Sequence, residues 1–245
     1  MPMTADQGRG SGILRGVDGC RGGWLALSAA LEGPVLEAEL HADATSLLAG
    51  AWDLTAVDMP IGLPEAEPRA CDREARRQLG ARRSSVFAAP PRAALEARDH
   101  PHASALCRRA LGVGMSLQSF HLLPKIRDLD RQLRTDPRLV PRVLEVHPEL
   151  GFCLWNGGVP LSHAKKSPEG RQQRLALVET LFPGAWGQVR RRFPRRLARC
   201  RNHRSENFRT GRSTAMARRI RRSSCRTCRG IGVAPCQATL SMGST

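Results

Sequence analysis

Three acidic residues stand where strands are expected to end, and they are the first candidates for chemistry. Asp18 occurs in GVDG, Asp58 in VDMP and Glu145 in VLEVHPE. Carboxylates packed together repel one another unless a cation lies between them, and Mg²⁺ and Mn²⁺ prefer carboxylate oxygens. We therefore expect these three acids to be catalytic residues that bind one or two such ions for phosphodiester hydrolysis. For any one Asp-Gly pair taken alone, a turn cap is the commoner role.

Two further residues extend this acidic set. His147 follows Glu145 by two positions and could carry a proton or bind a metal, although a single strand histidine is more often structural. Glu149 lies four residues after Glu145 and is a weaker candidate for the third acid.

Basic and hydroxyl groups that suit phosphate oxygens form a second set. Guanidinium groups and hydroxyls bind phosphate well, and the block RRSS lies in a predicted loop between two helices. A helix end favoured by cations, followed by a cap, is an equally good explanation of that block. The candidate phosphate-binding residues are Arg82, Arg83, Ser84, Ser85, Lys125, Lys165 and Lys166. The lysine pair is also typical of a solvated corner.

The elements that must position these residues follow from hydrophobic periodicity, turn residues and caps. A Gly-rich turn within residues 13–31 predicts a hairpin of two strands, and LEAELHA predicts a third. A short helix begins at a cap formed by Asp43 or Thr45, and a buried strand ends at Pro60. Helices are predicted over 69–80, 91–98, 102–112 and 116–133, the last kinked at Pro124.

The rest of the ordered pattern is a strand that breaks at Pro148 and a helix over 167–182 with Ser167 before it and Pro168 at its first position. Three strands, a helix, a strand, a helical block, a strand and a helix make an α/β fold, with the order of an RNase H-like mixed sheet and flanking helices. In that order the first strand lies beside the fourth, so Asp18 and Asp58 are expected to converge at one edge.

Several sequence blocks also resemble a known family, in this order: GVDGCRGGW, VDMPIGLP, RACDREARRQLG, RRSSVFAAPPRAAL, GMSLQSFHLLPKI, EVHPEL and KKSPEGRQQRL. They are similar to the family catalogued as domain of unknown function 429, described as predicted nucleases of RNase H-like fold, over about residues 14–180. The resemblance implies that Asp18 and Asp58 occupy matching acidic positions and that Glu145 is the third acid.

The last part of the chain departs from that resemblance. Residues 187–245 hold sixteen of the arginines and one acid, Glu206, whereas the rest of the chain is almost neutral. Similar proteins continue with a helix carrying paired Asp residues, but this chain has no Asp after residue 136. We predict a flexible N-terminus over 1–13, an RNase H-like domain over 14–186, and an Arg- and Cys-rich tail over 187–245 that is disordered or read out of frame. Loss of the acidic helix would impair the metal site.

Other interpretations of the chain remain open. Cys200, His203, Cys225 and Cys228 have a spacing compatible with a zinc site, which would make the tail a nucleic-acid-binding module. The fold also underlies actin-like proteins, in which an Asp-Gly turn such as GVDG approaches phosphates, although the chain is short for two lobes. A domain that kept the fold and binds nucleic acid without turnover is the non-enzymatic alternative.

Composition excludes some classes and suggests a compartment. The net charge is +17 over 245 residues, and no G-x-S-x-G, P-loop or H-E-x-x-H motif occurs. No run of eighteen apolar residues is present and the N-terminus lacks a signal-like apolar segment, so we expect a cytoplasmic protein without a membrane partner. Nucleic acid is the expected partner class, and the sequence does not indicate an oligomeric state.

The unusual tail leads to a prediction about the gene. Resequencing codons 180–245 and translating all three frames is expected to reveal, in a second frame, a continuation that encodes a helix with paired Asp residues. If neither other frame holds such a helix, the Arg-rich tail is genuine and the out-of-frame hypothesis is wrong.

Overall fold

The computed structural model describes residues 12–30 and 35–192. They form a five-stranded mixed sheet in the order β3-β2-β1-β4-β5 with helices around it. The strands are β1 (Ile13–Cys20), β2 (Gly23–Ala30), β3 (Val35–His41), β4 (Leu54–Val57) and β5 (Val143–Glu145). This confirms the predicted α/β fold with an RNase H-like mixed sheet.

Eight α-helices and three short 3₁₀ helices occur in the described ranges. The α-helices are α1 (Ala44–Leu48), α2 (Ala70–Leu79), α3 (His100–Leu111), α4 (Leu117–Phe120), α5 (Leu123–Thr135), α6 (Pro148–Trp155), α7 (Pro168–Leu181) and α8 (Ala185–Arg192). The 3₁₀ helices are Gly80–Ser85, Arg92–Glu96 and Pro137–Leu139.

Strand direction is what brings the predicted acids to one edge. β1 pairs antiparallel with β2, and β2 with β3, whereas β1–β4 and β4–β5 are parallel. The antiparallel part is a tight hairpin and meander. The parallel part requires the long helical connections that the sequence places between β4 and β5. The carboxyl ends of β1, β4 and β5 therefore lie at the same edge of the sheet.

The sheet buries both of its faces. Val17, Val57 and Val143 point to the larger core, which contains buried residues of α1 and α5. Leu14, Ala56 and Val146 form a second cluster. Side chains alternate between the two faces along a strand. The face of each residue near a strand end therefore follows from its spacing to these core residues.

Local capping chemistry explains where several helices begin. Asp43 accepts a hydrogen bond from Ser46 N at 2.7 Å, so Asp43 rather than Thr45 caps α1. Ser167 accepts from Gly170 N at 3.0 Å and Pro168 occupies the first turn of α7, as predicted. Such caps satisfy backbone N–H groups that have no partner inside the helix.

Two predicted elements differ from the structure because the prediction treated proline only as a residue that interrupts helices and strands. The helix predicted over 116–133 is two helices, α4 and α5, and Pro124 lies in the first turn of α5, where its missing N–H costs nothing. Pro148 likewise ends no strand directly. β5 stops at Glu145, and Pro148 begins α6, a helix that the strand prediction overlooked.

Some predictions concern residues outside the described ranges. The proposed zinc ligands and most of the Arg- and Cys-rich tail fall in 193–245, and most of the predicted N-terminal segment falls in 1–11. The predicted boundary at residue 187 lies within α8, where Val189 is buried. None of the helices in the described part of the chain combines the length and the apolar character needed to cross a membrane.

A buried ion pair joins α6 to α7. Arg174 is 1% exposed and donates to both carboxylate oxygens of Glu149, at 2.9 and 2.5 Å. The same guanidinium donates to the carbonyl of Gly170 at 2.6 Å. Removing one member of such a pair leaves an uncompensated charge in the interior.

This pair yields a stability prediction. Glu149→Gln is expected to lower the free energy of unfolding by about 3–5 kcal/mol, because Arg174 stays charged and buried without its partner. Urea denaturation followed by circular dichroism measures the loss.

The matched control is the exposed pair that Glu74 forms with Arg77 on α2. Glu74→Gln is expected to leave the free energy of unfolding close to that of the wild type, because solvent screens that pair. Equal effects of the two substitutions would show that burial does not govern the contribution of Glu149.

Candidate functional site

Asp18 and Asp58 lie side by side at the carboxyl edge of the parallel strands. Val17 of β1 is paired in register with Val57 of β4, and each Asp is the next residue along its chain. The Asp58 N–H donates to the Val17 carbonyl at 3.1 Å, which continues the parallel ladder to this point. Adjacent strands are about 4.8 Å apart, so the two acids begin from neighbouring backbone positions. Asp18 is 4% exposed and Asp58 is half-buried.

Glu145 occupies the same edge but the other face. In β5 it is paired in register with Val57, so alternation places it with the residues of the larger core rather than with Asp58. The structure thus brings Asp18 and Asp58 together and does not bring Glu145 to them. Its ligation of a metal stays a prediction from the sequence.

The carboxylate of Glu145 is instead bound by Arg69. The Arg69 guanidinium donates to both Glu145 oxygens, at 2.6 and 2.8 Å, and Ile61 N donates to one of them at 2.9 Å. Arg69 also donates to both oxygens of Asp72, at 3.2 and 2.5 Å. A single guanidinium therefore holds two carboxylates, one at the end of β5 and one on α2. We call Arg69, Asp72 and Glu145 the arginine clasp.

The arginine clasp sets one guanidinium between two carboxylates. Burial opposes the charged form of Arg69, but hydrogen bonds and charge from Glu145 and Asp72 outweigh it and raise the pKa of Arg69. Asp72 is 5% exposed and its Oδ2 also accepts from Ala89 N at 3.1 Å. The clasp therefore connects the sheet edge, α2 and the segment that contains Ala89.

Lys125 of α5 reaches across the β1–β2 turn next to Asp18. Its Nζ donates to the Gly23 carbonyl at 2.6 Å and lies 5.0 Å from the centre of the Trp24 ring. Burial lowers the pKa of Lys125, while neighbouring negative groups, Asp18 among them, act in the opposite direction. The charge of Lys125 therefore interacts with Asp18, and its phosphate-binding role stays a prediction.

Gly19 makes that approach possible. A Cβ on Gly19 would lie 2.6 Å from Cδ of Lys125 and 3.2 Å from Cε of Met59, both closer than van der Waals contact allows. The Gly after Asp18, which lies within β1, therefore has a packing reason. It leaves space for the alkyl chain of Lys125.

His147 has a structural contact, and the same holds for the weaker candidate Glu149. The Nε2 of His147 donates to the Ser85 carbonyl at 2.8 Å, which leaves Nδ1 as the acceptor of the ring. Nδ1 is buried and has no hydrogen-bond partner in the described part of the chain. Glu149 lies in the ion pair with Arg174. A proton-carrying role for His147 stays a prediction.

The RRSS block is divided between structure and surface. Arg82 donates to the carbonyls of Leu161 and Ser162, and the Ser85 hydroxyl donates to the Arg82 carbonyl. Arg83 and Ser84 are exposed. All four lie on the 3₁₀ helix Gly80–Ser85. Two members of the block thus hold the turn in place, and two face solvent.

The lysine pair lies away from these contacts along the chain, directly before α7. Lys165 is half-buried and Lys166 is exposed, and the Lys166 carbonyl accepts from Arg171 at 3.1 Å. This arrangement fits the solvated corner ahead of a helix. Phosphate binding by the pair stays a prediction.

The donor set suits a metal ion that shares its ligands with substrate. Within residues 12–30 and 35–192, no group of three or more His, Cys, Asp or Glu side chains is arranged to hold a metal. Mg²⁺ is usually bound by one or two carboxylates together with waters and substrate phosphates, and not by a closed protein cage. Asp18 and Asp58 are the two carboxylates that such an ion would use, and binding of Mg²⁺ or Mn²⁺ by them stays a prediction.

Sequence reasoning missed Arg69 and Asp72. A partial signal existed, since an Arg and an Asp three residues apart at the start of a predicted helix lie on one face and can pair. Nothing local indicated that the same Arg would bind Glu145, which is 76 residues away along the chain.

One comparison with known proteins gave a match. The model of a family described as "Protein of unknown function (DUF429)" matches residues 16–225. The matched range contains Asp18, Asp58 and the arginine clasp. No curated protein and no solved structure matches the chain.

The contact between Gly19 and Lys125 can be tested by a double-mutant cycle. Gly19→Ala is expected to lower the free energy of unfolding by about 1–3 kcal/mol, because the added methyl displaces the lysine chain. In a Lys125→Ala background, the same change is expected to cost at least about 1 kcal/mol less. Urea denaturation of the four proteins measures both values.

Gly22→Ala is the control, because a Cβ there would meet only Cδ2 of Leu40 at 3.4 Å. It is expected to be tolerated in both backgrounds. A Gly19→Ala cost that is the same with and without the lysine side chain would contradict the contact.

Proposed function

This chain belongs to the DUF429 family of proteins of unknown function, and we propose that it is a divalent-metal-dependent phosphodiesterase acting on nucleic acid. The observation that carries the proposal is the pair of neighbouring carboxylates, Asp18 and Asp58, at the carboxyl edge of two parallel strands. Ligand sites of open sheets with parallel strands lie characteristically at that edge.

The chemistry of the pair favours a divalent cation over other occupants. Two carboxylates that approach each other repel unless positive charge lies between them. Lys125 lies near enough to Asp18 for a charge interaction, and a divalent cation would add the further positive charge that two carboxylates favour. A bound Mg²⁺ or Mn²⁺ would polarise a phosphoryl oxygen and lower the pKa of a bound water.

The residues of the chain would then have separate tasks. Asp18 and Asp58 hold the ion, and their backbone positions are kept by the ladder between β1 and β4. Lys125, whose charge interacts with Asp18, would attract a phosphate group to this end of the sheet. Its position is held by the Gly23 carbonyl and the Trp24 ring, so little reorganisation is needed when substrate binds.

The arginine clasp supports the site without taking part in ligation. By binding both oxygens of Glu145, Arg69 keeps this acid away from the ion and anchors the end of β5 beside Asp58. We therefore assign ligation to Asp18 and Asp58 and a positioning role to Glu145.

An altered tail bears on how active this chain would be. If residues 187–245 are translated out of frame, a carboxylate that the family resemblance implies is missing, and turnover would be slow while ion binding by the pair persists. Cation binding is for that reason the first readout.

The test uses the full-length protein. Titration calorimetry is expected to detect Mn²⁺ binding, and Asp18→Asn and Asp58→Asn are each expected to weaken it by about 100-fold, since each removes one of two protein ligands. Cleavage of single-stranded and duplex oligonucleotides is expected to require Mn²⁺ or Mg²⁺, to stop with EDTA, and to fall in parallel in the two variants.

Asp136→Asn is the matched control, because this Asp lies at the end of α5, where it binds Arg138. It is expected to bind Mn²⁺ as the wild type does. The proposal is wrong if the wild type takes up no Mn²⁺, or if Asp18→Asn leaves both binding and cleavage unchanged. Nucleic-acid binding without Mn²⁺ uptake would favour a non-catalytic binding protein.

A further inference from the structure

Phe87 is an exposed aromatic residue in a chain that has few aromatics. The sequence holds six Phe, four Trp and no Tyr. Trp24, Trp52 and Phe152 are at most 2% exposed, whereas Phe87 is 40% exposed. A single exposed apolar residue is common on protein surfaces, so the surroundings of Phe87 decide whether it has a role.

The segment that carries Phe87 is anchored on both sides. Val86 is buried in a cluster with Ala75 and Leu79, and its carbonyl accepts two hydrogen bonds from Arg76, at 3.2 and 3.0 Å. Ala89 is 2% exposed, and its N–H donates to Asp72 of the arginine clasp. The ring of Phe87 is therefore held in solvent by a fixed backbone.

Exposed groups of the kinds that bind phosphate precede Phe87 closely in the chain. Arg83 and Ser84 are exposed on the 3₁₀ helix that leads into the segment. The other nearby guanidiniums are already used, since Arg76 and Arg82 donate to backbone carbonyls. We call Arg83, Ser84 and Phe87 the Phe87 surface. It combines a guanidinium, a hydroxyl and an aromatic face.

Two contacts fix the Phe87 surface at the edge that carries the acidic pair. The Ser85 carbonyl accepts from His147, two residues after Glu145, and Ala89 is joined to Glu145 through Asp72 and Arg69. Glu145 is in register with Val57, the residue before Asp58. The Phe87 surface and the acidic pair therefore lie at the same end of the sheet.

We infer that the Phe87 surface binds one unpaired base and its phosphate, so that the substrate is single-stranded nucleic acid. An exposed ring stacks on the face of a base, and Arg83 and Ser84 reach phosphate oxygens. In a duplex both faces of each base are covered by its neighbours, so the ring has nothing to stack on. This inference rests on the proposed function and specifies the substrate class of the same site.

The experiment measures binding of the full-length protein in EDTA, so that turnover does not enter. The probes are a fluorescent single-stranded oligonucleotide of about twelve nucleotides and one of equal length whose residues are abasic. Fluorescence anisotropy is expected to show that Phe87→Ala weakens binding of the normal strand by about tenfold, the order that base stacking contributes. Binding of the abasic strand is expected to stay unchanged.

Two further variants separate stacking from charge and from general surface effects. Phe87→Trp is expected to keep the affinity of the wild type, because it retains an aromatic face. Arg83→Ala is expected to weaken the normal and the abasic strand equally, because it removes a phosphate contact. Leu175→Ala, at a residue that is 37% exposed on α7, is the matched control and is expected to change neither.

The abasic probe also controls for the basic residues of 187–245, which attract any phosphate backbone and contribute to both probes alike. The inference is wrong if Phe87→Ala binds the normal strand as tightly as the wild type, or if it weakens both probes equally. A stacking effect without Mn²⁺ uptake would retain the Phe87 surface and overturn the proposed phosphodiesterase. Mn²⁺-dependent cleavage without a Phe87 effect would do the reverse.

Discussion

The guanidinium of Arg69 is the contact on which the arrangement of the site depends. It lies at the start of α2 and binds two carboxylates, Asp72 on the same helix and Glu145 at the end of β5. Asp72 in turn holds Ala89, so one buried cation joins the sheet, a helix and the segment of the Phe87 surface. A buried charge requires partners of opposite charge. The two carboxylates that serve as partners of Arg69 also connect three parts of the chain.

This contact separates the roles of acids that look alike in the sequence. Glu145 ends β5, and Asp58 directly follows β4. The alternation of side chains places these two acids on opposite faces of the sheet, and Arg69 binds Glu145 on its face. Asp18 and Asp58 occupy neighbouring backbone positions, and Lys125 packs against Gly19 and Trp24 on the side of the larger core. The carboxyl ends of the parallel strands thus carry both the arginine clasp and the two acids for which we propose a divalent ion.

Two glycines near Asp18 lie where other segments of the chain pack closely against the backbone. Gly23 has a φ of +127°, and a Cβ there would come within 2.0 Å of the His41 carbonyl. Gly19 leaves room for Lys125. At the turn between β1 and β2, β3 and α5 therefore pack against the backbone close to Asp18.

Periodicity, turn residues and caps in the sequence determined the α/β class and the order of strands and helices, because these depend on residues close together in the chain. General rules for strand connections then determined that Asp18 and Asp58 occupy neighbouring positions. Tertiary structure alone decided which face of the sheet Glu145 occupies and that Arg69 binds it from 76 residues away. It also decided that Arg82 and His147 bind backbone carbonyls, whereas Arg83 and Phe87 face solvent. A one-residue difference in register exchanges the two faces of a strand, and no local pattern records the register of β5. The partner of a long side chain is likewise chosen among groups that only the folded chain brings within reach.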